Sequence, residues 1–137
     1  MKVHSTNYYN MFIVVADDCP TMVGEIPQTK GDTKSIANIQ FELISKNPYQ
    51  YTSDEVLFQV YAQRKDLTKD ELDEAKAIYF SKGQACLRAS PLTKRYGWGV
   101  HHNEEGKIAL YGCETEAYGR FLNDKHIKVV KAMKTSR

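Results

Sequence analysis

The chain contains 137 residues, 42% of them hydrophobic and 26% charged, which is typical of one soluble domain with its own apolar core, expected here over residues 1–137. The longest purely apolar run, residues 11–16, is too short to cross a membrane, and the first ten residues contain one lysine and no apolar stretch, so no signal peptide is predicted. The net charge of +2 is too small to favour nucleic acid as a partner.

The first predicted element is a short buried strand. Residues 10–16 read NMFIVVA, a run rich in apolar and β-branched side chains that two aspartates terminate. Residues 17–32 contain two prolines and two glycines and are predicted to form a long ordered loop or a segment that wraps around the domain. A loop of this length in a compact domain often has a functional role.

Three helices are predicted next. The first covers about residues 33–46, and the pair Asn47–Pro48 ends it. The second and third begin at TSDE (52–55) and TKDE (68–71), because a threonine followed three residues later by a glutamate is the pattern of a capping box. The third helix is predicted to end at Gly83.

The C-terminal half is predicted to form most of the sheet. One candidate strand covers residues 85–89, and residues 98–102 and 107–112 form the arms of a hairpin. Gly106 suits the left-handed position that closes a type I turn with a bulge.

A helix near residues 115–122 and a strand over 127–132 follow, and residues 133–137 are predicted to be a frayed basic tail. The predicted fold class is therefore α+β, with an antiparallel sheet from the C-terminal half packed against an N-terminal group of about three helices.

The register of the hairpin assigns its side chains to two faces. Pairing Asn103 with Lys107 places His101 and Tyr111 on a polar face. The opposite face is apolar and is predicted to be the core. It receives three side chains of the first arm: Trp98, Val100 and His102.

A basic stretch before the hairpin supplies further candidate residues. If residues 85–89 form a strand whose polar face coincides with that of the hairpin, Arg88 and Ser90 converge with His101 and Tyr111. Lys94 and Arg95 would then lie at the rim and steer an anion towards the site. The predicted ligand-binding residues are Arg88, Ser90, Lys94, Arg95, His101 and Tyr111.

Several of these residues also have a plain structural interpretation. Arg88 suits an ion pair with a helix carboxylate as well as a bidentate contact with a ligand. Tyr111 suits the role of covering Gly99 on the neighbouring strand. His102 is predicted to be a hydrogen-bonded histidine of the core or the sheet edge.

The cysteines and histidines predict neither a metal site nor a cofactor. The three cysteines are odd in number and far apart, which favours reduced thiols in the cytoplasm and argues against zinc. His101 and His102 are adjacent on a predicted strand and point to opposite faces, so they cannot bind one metal ion together.

Two long segments carry a resemblance to a known family. Residues 37–58 (ANIQFELISKNPYQYTSDEVLF) and 80–112 (FSKGQACLRASPLTKRYGWGVHHNEEGKIALYG) resemble a family of short uncharacterised bacterial proteins, a domain of unknown function. Residues 6–20 and 127–137 are also similar, so the resemblance covers nearly the whole chain. It implies a stand-alone bacterial cytoplasmic domain, and it implies no activity and no catalytic residue.

The sequence leaves three functional hypotheses open. The first is binding of a small anionic or phosphorylated ligand at the six residues named above. The second is an enzyme at the same site, with His101 as general acid or base and Tyr111 as hydrogen-bond donor. The third is a nucleic-acid or protein interaction module that uses the C-terminal half, where residues 82–137 carry a net charge of +6 and Tyr96 and Trp98 would stack on bases. The sequence gives no indication of oligomeric state.

Overall fold

A four-stranded sheet forms the centre of the molecule in the computed structural model, which describes residues 4–29, 31 and 34–134. Its strands, in chain order, are β1 (Met11–Val14), β2 (Trp98–His102), β3 (Ile108–Gly112) and β4 (Lys128–Lys131). The order across the sheet is β3-β2-β1-β4. The pairs β1–β2 and β2–β3 are antiparallel, whereas β1 and β4 run parallel. The fold is α+β, but the prediction of an antiparallel sheet is wrong because β4 joins β1 in a parallel pair.

Five α-helices surround the sheet: α1 (Ile36–Ser45), α2 (Ser53–Arg64), α3 (Leu72–Tyr79), α4 (Pro91–Lys94) and α5 (Glu116–Leu122). α1 and α4 pack against β3 and β2 on one face, and α2 packs against α1. α5 packs on the opposite face, against β1 and β3. The three predicted N-terminal helices and the helix near 115–122 are present, and the single turn α4 was not predicted.

Side-chain caps fix where the helices begin. In α2 the Thr52 N–H donates to Glu55 Oε1 at 3.0 Å and the Glu55 N–H donates to Thr52 Oγ1 at 3.2 Å, which is the predicted capping box. Ser35 and Asn38 form the corresponding pair at α1. The predicted start of that helix at residue 33 lies outside the described residues.

The hairpin of β2 and β3 has the predicted register. Trp98 lies opposite Gly112, and His102 lies opposite Ile108. The Asn103 N–H donates to the Lys107 carbonyl at 2.9 Å, and Gly106 closes the turn with a φ of 81°.

The strand predicted over residues 85–89 is wrong. Residues Leu87–Ala89 form a 3-10 helix that leads directly into α4. Ser90 caps α4 by accepting the Leu92 N–H, and the Thr93 hydroxyl donates to the Leu87 carbonyl at 2.8 Å. These local bonds, together with Pro91 at the first helical position, favour a turn over an extended strand.

The two faces of the sheet bury separate apolar clusters. Met11, Ile13 and Val100 face α1 and α4, whereas Phe12 packs against Tyr118 of α5 at a ring-centroid distance of 5.1 Å. The sheet is therefore covered on both faces, and any site on it must lie on one side or the other. Of the predicted frayed tail, residues 135–137 lie outside the described residues, and the Met133 N–H donates to the Arg88 carbonyl at 2.8 Å.

Candidate functional site

The sheet separates the residues that were expected to converge. Ser90 lies beside α1 on one side, where its hydroxyl donates to Gln40 Oε1 at 2.5 Å. Arg88 lies at the β4 edge, where its Nε donates to the Lys131 carbonyl at 2.7 Å. His101 and Tyr111 share the opposite face with α5. The expected meeting of the four residues required a strand at 85–89, so the structure does not bring them together.

His101 and Tyr111 meet through a third residue, Tyr49, which the sequence did not single out. The Tyr49 hydroxyl lies 2.9 Å from His101 Nδ1 and 2.7 Å from the Tyr111 hydroxyl. The His101 ring also stacks on Phe121, with 4.2 Å between the ring centroids. Burial lowers the pKa of His101, and the charge of Asp124 opposes this effect.

Tyr49 occupies an uncommon backbone conformation. Its φ is 59°, in the left-handed region that a bulky residue rarely adopts. The Tyr49 N–H donates to the Ile108 carbonyl at 2.8 Å, which holds the residue against the outer edge of β3. Burial raises the pKa of the Tyr49 hydroxyl, and the bond with Tyr111 raises it further. Tyr49 therefore keeps its proton and holds one nitrogen of His101 in place.

A cleft of about 430 Å³ lies among α1, α2 and α3. Most of its wall is apolar or aromatic, with two amide side chains and two cations. The lining residues are Ile36, Gln40, Leu57, Val60, Tyr61, Arg64, Lys65, Tyr79 and Gln84. A second hollow of about 370 Å³ adjoins it, because both are lined by Ile36 and Arg64.

Gln40 is the buried polar residue of this cleft. Its side chain is buried, with 3% of the residue exposed, and its Oε1 accepts the Ser90 hydroxyl. The amide group of Gln40 also forms part of the cleft wall. Because the oxygen is already engaged, the amide nitrogen is the donor that Gln40 offers to the cleft.

Cations surround the opening. Arg64 lines both hollows, and Arg95, one of the predicted site residues, lines the second together with Tyr96. Neither arginine forms an ion pair with any residue in the described ranges. Lys94 is the last residue of α4 and is half-buried. The sequence did not single out Gln40 or Arg64, although Val60 and Arg64 are four residues apart and so share one helix face.

Trp98 and His102 lie on the core face, as the register predicted. The Trp98 Nε1 donates to the Glu25 carbonyl at 2.8 Å and its ring packs against Phe41 at 5.3 Å. His102 is fully buried, yet neither ring nitrogen has a hydrogen-bond partner in the described residues. The predicted core position of His102 is confirmed, whereas the hydrogen bond expected there is not formed with ordinary geometry among the described residues.

Neither a metal site nor a membrane-spanning helix emerges from the described residues. Residues 4–29, 31 and 34–134 contain no group of three or more His, Cys, Asp or Glu side chains placed to hold a metal ion. None of the helices in these ranges has the length and apolarity needed to cross a bilayer.

Comparison with known proteins places the chain in a family. The model of a family of unknown function, DUF6157, matches residues 3–137. The chain belongs to this family. No curated protein and no solved structure matches it. This membership agrees with the resemblance to an uncharacterised family. It assigns no reaction to the chain.

Proposed function

We propose that the chain binds a small anion with an apolar or aromatic body in the cleft of α1, α2 and α3. The observation that carries the proposal is the cleft itself, where the Gln40 amide lies in a mostly apolar wall together with Arg64, and Arg95 lines the adjoining hollow. Ser90 already engages the Gln40 oxygen, so an oxygen of the bound ligand would accept a hydrogen bond from Gln40 Nε2.

The two arginines at the opening of the cleft indicate that one end of the ligand is an anionic group. Arg64 and Arg95 are exposed and have no ion-pair partner among the residues that the structure describes. A carboxylate or phosphate placed between them would accept charge-assisted hydrogen bonds, and guanidinium groups suit the geometry of both anions. Leu57, Val60 and Tyr61 would then cover the apolar body.

Calorimetric titration tests the proposal with octanoate and phenyl phosphate as probes and octanol as the neutral comparison. We expect both anions to bind more tightly than octanol. Arg64→Gln should weaken their binding at least about tenfold, because a charge-assisted hydrogen bond contributes about 1.5–3 kcal/mol. Gln40→Leu should weaken the anions more than it weakens octanol.

Lys125→Gln is the matched control, since Lys125 is an exposed cation that does not line the cleft. If Arg64→Gln and Lys125→Gln lower the affinity for the anions equally, the loss reflects the general surface charge and not a contact in the cleft. The absence of heat and of any thermal shift with every anion would contradict the proposal.

A second candidate function is acid–base catalysis by His101 on the α5 side of the sheet. It is supported by the Tyr49 hydroxyl, which holds His101 Nδ1 at 2.9 Å and leaves Nε2 as the nitrogen for a proton transfer. The lowered pKa of His101 favours the neutral imidazole at pH 7, the form that a general base requires.

Chromogenic p-nitrophenyl esters and phosphates test this candidate. We expect turnover that falls as the pH drops through the lowered pKa of His101, that His101→Gln abolishes, and that Tyr49→Phe reduces. His126→Gln, a change at an exposed histidine, should have no effect. Turnover that survives His101→Gln unchanged would remove this residue from the role.

A further inference from the structure

Two of the three cysteines line one pocket on the α5 side of the sheet. Cys19 belongs to the loop after β1, and Cys113 directly follows β3. Both side chains are half-buried and line a pocket of about 410 Å³, with Tyr118 and Leu122 of α5 on its wall. In sequence the two cysteines are far apart, so only the fold brings them to the same place.

Several contacts hold the loop of Cys19 against the segment of Cys113. The Gly24 N–H donates to Glu114 Oε1 at 2.9 Å, and the Cys113 N–H donates to the Gly97 carbonyl at 2.9 Å. A Cβ placed on Gly97 would lie 3.0 Å from Thr21 Cγ2, so the loop lies directly on that residue. These contacts hold the loop that carries Cys19 next to the segment that carries Cys113.

Tyr118 lies close to both thiols. Its hydroxyl accepts the Val15 N–H at 3.0 Å. Burial raises the pKa of Tyr118, and the negative charges of Cys113 and Cys19 raise it further. Burial also raises the pKa of Cys113, with Cys19 the next contributor. Cys113 therefore lies within electrostatic reach of Cys19.

We infer that Cys19 and Cys113 form a reversible disulfide with each other when the chain meets a low-molecular-weight disulfide such as oxidised glutathione. This assigns a modification site that is separate from the proposed ligand cleft. In the first step one thiolate attacks the small disulfide, forming a mixed disulfide and releasing one thiol. In the second step the other thiolate attacks the mixed disulfide, forming the internal bond and releasing the second thiol. The small disulfide is reduced by two electrons and the chain is oxidised by two.

Either thiol can make the first attack, and the raised pKa of Cys113 lowers its thiolate fraction at neutral pH. The new bond would fasten the loop after β1 to the end of β3. It would also raise the midpoint of thermal unfolding, because a cross-link between distant residues restricts the unfolded chain.

Mass spectrometry of the folded full chain after incubation with oxidised glutathione tests the inference. We expect a loss of two hydrogen atoms and, in a digest without reductant, one peptide pair joined through Cys19 and Cys113. Dithiothreitol should reverse the change and the rise in melting temperature. Cys86→Ser should behave like the unmodified sequence, whereas Cys19→Ser and Cys113→Ser should each lack the cross-link.

In Cys113→Ser we expect glutathione to remain attached to Cys19, since the resolving thiol is gone. Stable glutathione adducts on both Cys19 and Cys113 in the unmodified chain would overturn the inference. A cross-link that contains Cys86, or reaction at Cys86 alone, would overturn it as well.

Discussion

His102 is a polar side chain buried in the core at a cost in folding free energy. It is fully buried between the strands and helices of the core, with the Tyr8 ring edge-on at 5.6 Å. Neither ring nitrogen has a partner in the described part of the chain. Burial lowers its pKa to about 4, although backbone groups of Met11 and Val100 partly oppose the shift. At pH 7 the imidazole is therefore neutral in the folded protein, and the backbone of Met11 and Val100 offers its nitrogens weak polar contacts rather than hydrogen bonds of ordinary geometry.

Replacing His102 with Leu should stabilise the protein. Removing two unpartnered polar atoms from the core should raise the free energy of unfolding at pH 7 by about 1–2 kcal/mol, as measured by urea denaturation. His126→Leu is the matched control because that histidine is exposed, and it should leave the stability nearly unchanged. A large loss of stability in His102→Leu would show that the ring makes contacts that outweigh its polarity.

The same residue predicts an acid sensitivity. The unfolded chain binds a proton at His102 near pH 6.5, whereas the folded chain resists it until about pH 4. Stability should thus fall as the pH drops from 6.5 to 4, by about 3 kcal/mol from this group. The His102→Leu variant should lack that part of the loss in denaturation curves taken across the range. Parallel pH profiles for the two proteins would contradict the assignment.

At the scale of elements, the β2–β3 hairpin is set by its turn. The Asn103 side chain accepts the N–H groups of Glu105 and Lys107, both at 2.9 Å, and Gly106 takes the left-handed conformation. A Cβ on Gly106 would lie 2.9 Å from the Tyr9 ring. The turn therefore needs glycine for both its backbone angle and its contact.

Alanine substitutions at two glycines test this requirement. Gly106→Ala should lower the free energy of unfolding by about 1–2 kcal/mol because of its positive φ. Gly119→Ala should raise it by about 0.5–1 kcal/mol, since Gly119 lies inside α5 and a Cβ there meets nothing within 4 Å. Thermal denaturation of the two variants measures the opposite signs. Destabilisation by both would contradict this account.

The elements that local rules govern could be predicted from sequence. The capping-box pattern at Thr52 correctly predicted the start of α2. The turn pattern at Gly106 correctly predicted the hairpin and the register in which β2 pairs with β3. The prediction of a strand over residues 85–89 failed because alternating side chains in a short segment suit a strand. The Ser90 cap that favours the turn acts only once α4 has formed. The position of β4 beside β1 depends on packing across the whole chain.

The candidate site was less predictable for the same reason. His101 and Tyr111 share a face because one hairpin carries both, and this was deduced correctly. Tyr49 contacts them from a segment that is distant in sequence. Its left-handed backbone conformation is not predicted by any local sequence pattern. The cleft around Gln40 exists only where three helices meet, so its donor and its cations look like ordinary helix residues in the sequence.

At the scale of the whole molecule, β1 holds the fold together. It is hydrogen-bonded on both edges, by β2 and by β4, and its apolar side chains are covered on both faces. In contrast, β4 has an outer edge. Its Lys128 N–H donates to Asn10 and its alternate N–H groups, including that of Val129, point away from β1.

Amide hydrogen exchange should reveal this difference. We expect Phe12 and Ile13 to exchange only through global unfolding, and Val129 to exchange at least about a thousandfold faster. Nuclear magnetic resonance at several urea concentrations measures both. Similar protection at Val129 and Ile13 would indicate that something covers the outer edge of β4.

The central position of β1 has a consequence for how the protein is made. β1 leaves the ribosome more than eighty residues before β2, its antiparallel partner, and β4 follows later still. Meanwhile the helices α1, α2 and α3 can gather through short-range contacts, as local pairings form fastest. A nascent chain thus carries two open edges of an apolar strand until β2 and β4 emerge. The shortness of that strand and the aspartates after it reduce its pairing with neighbouring chains during that interval.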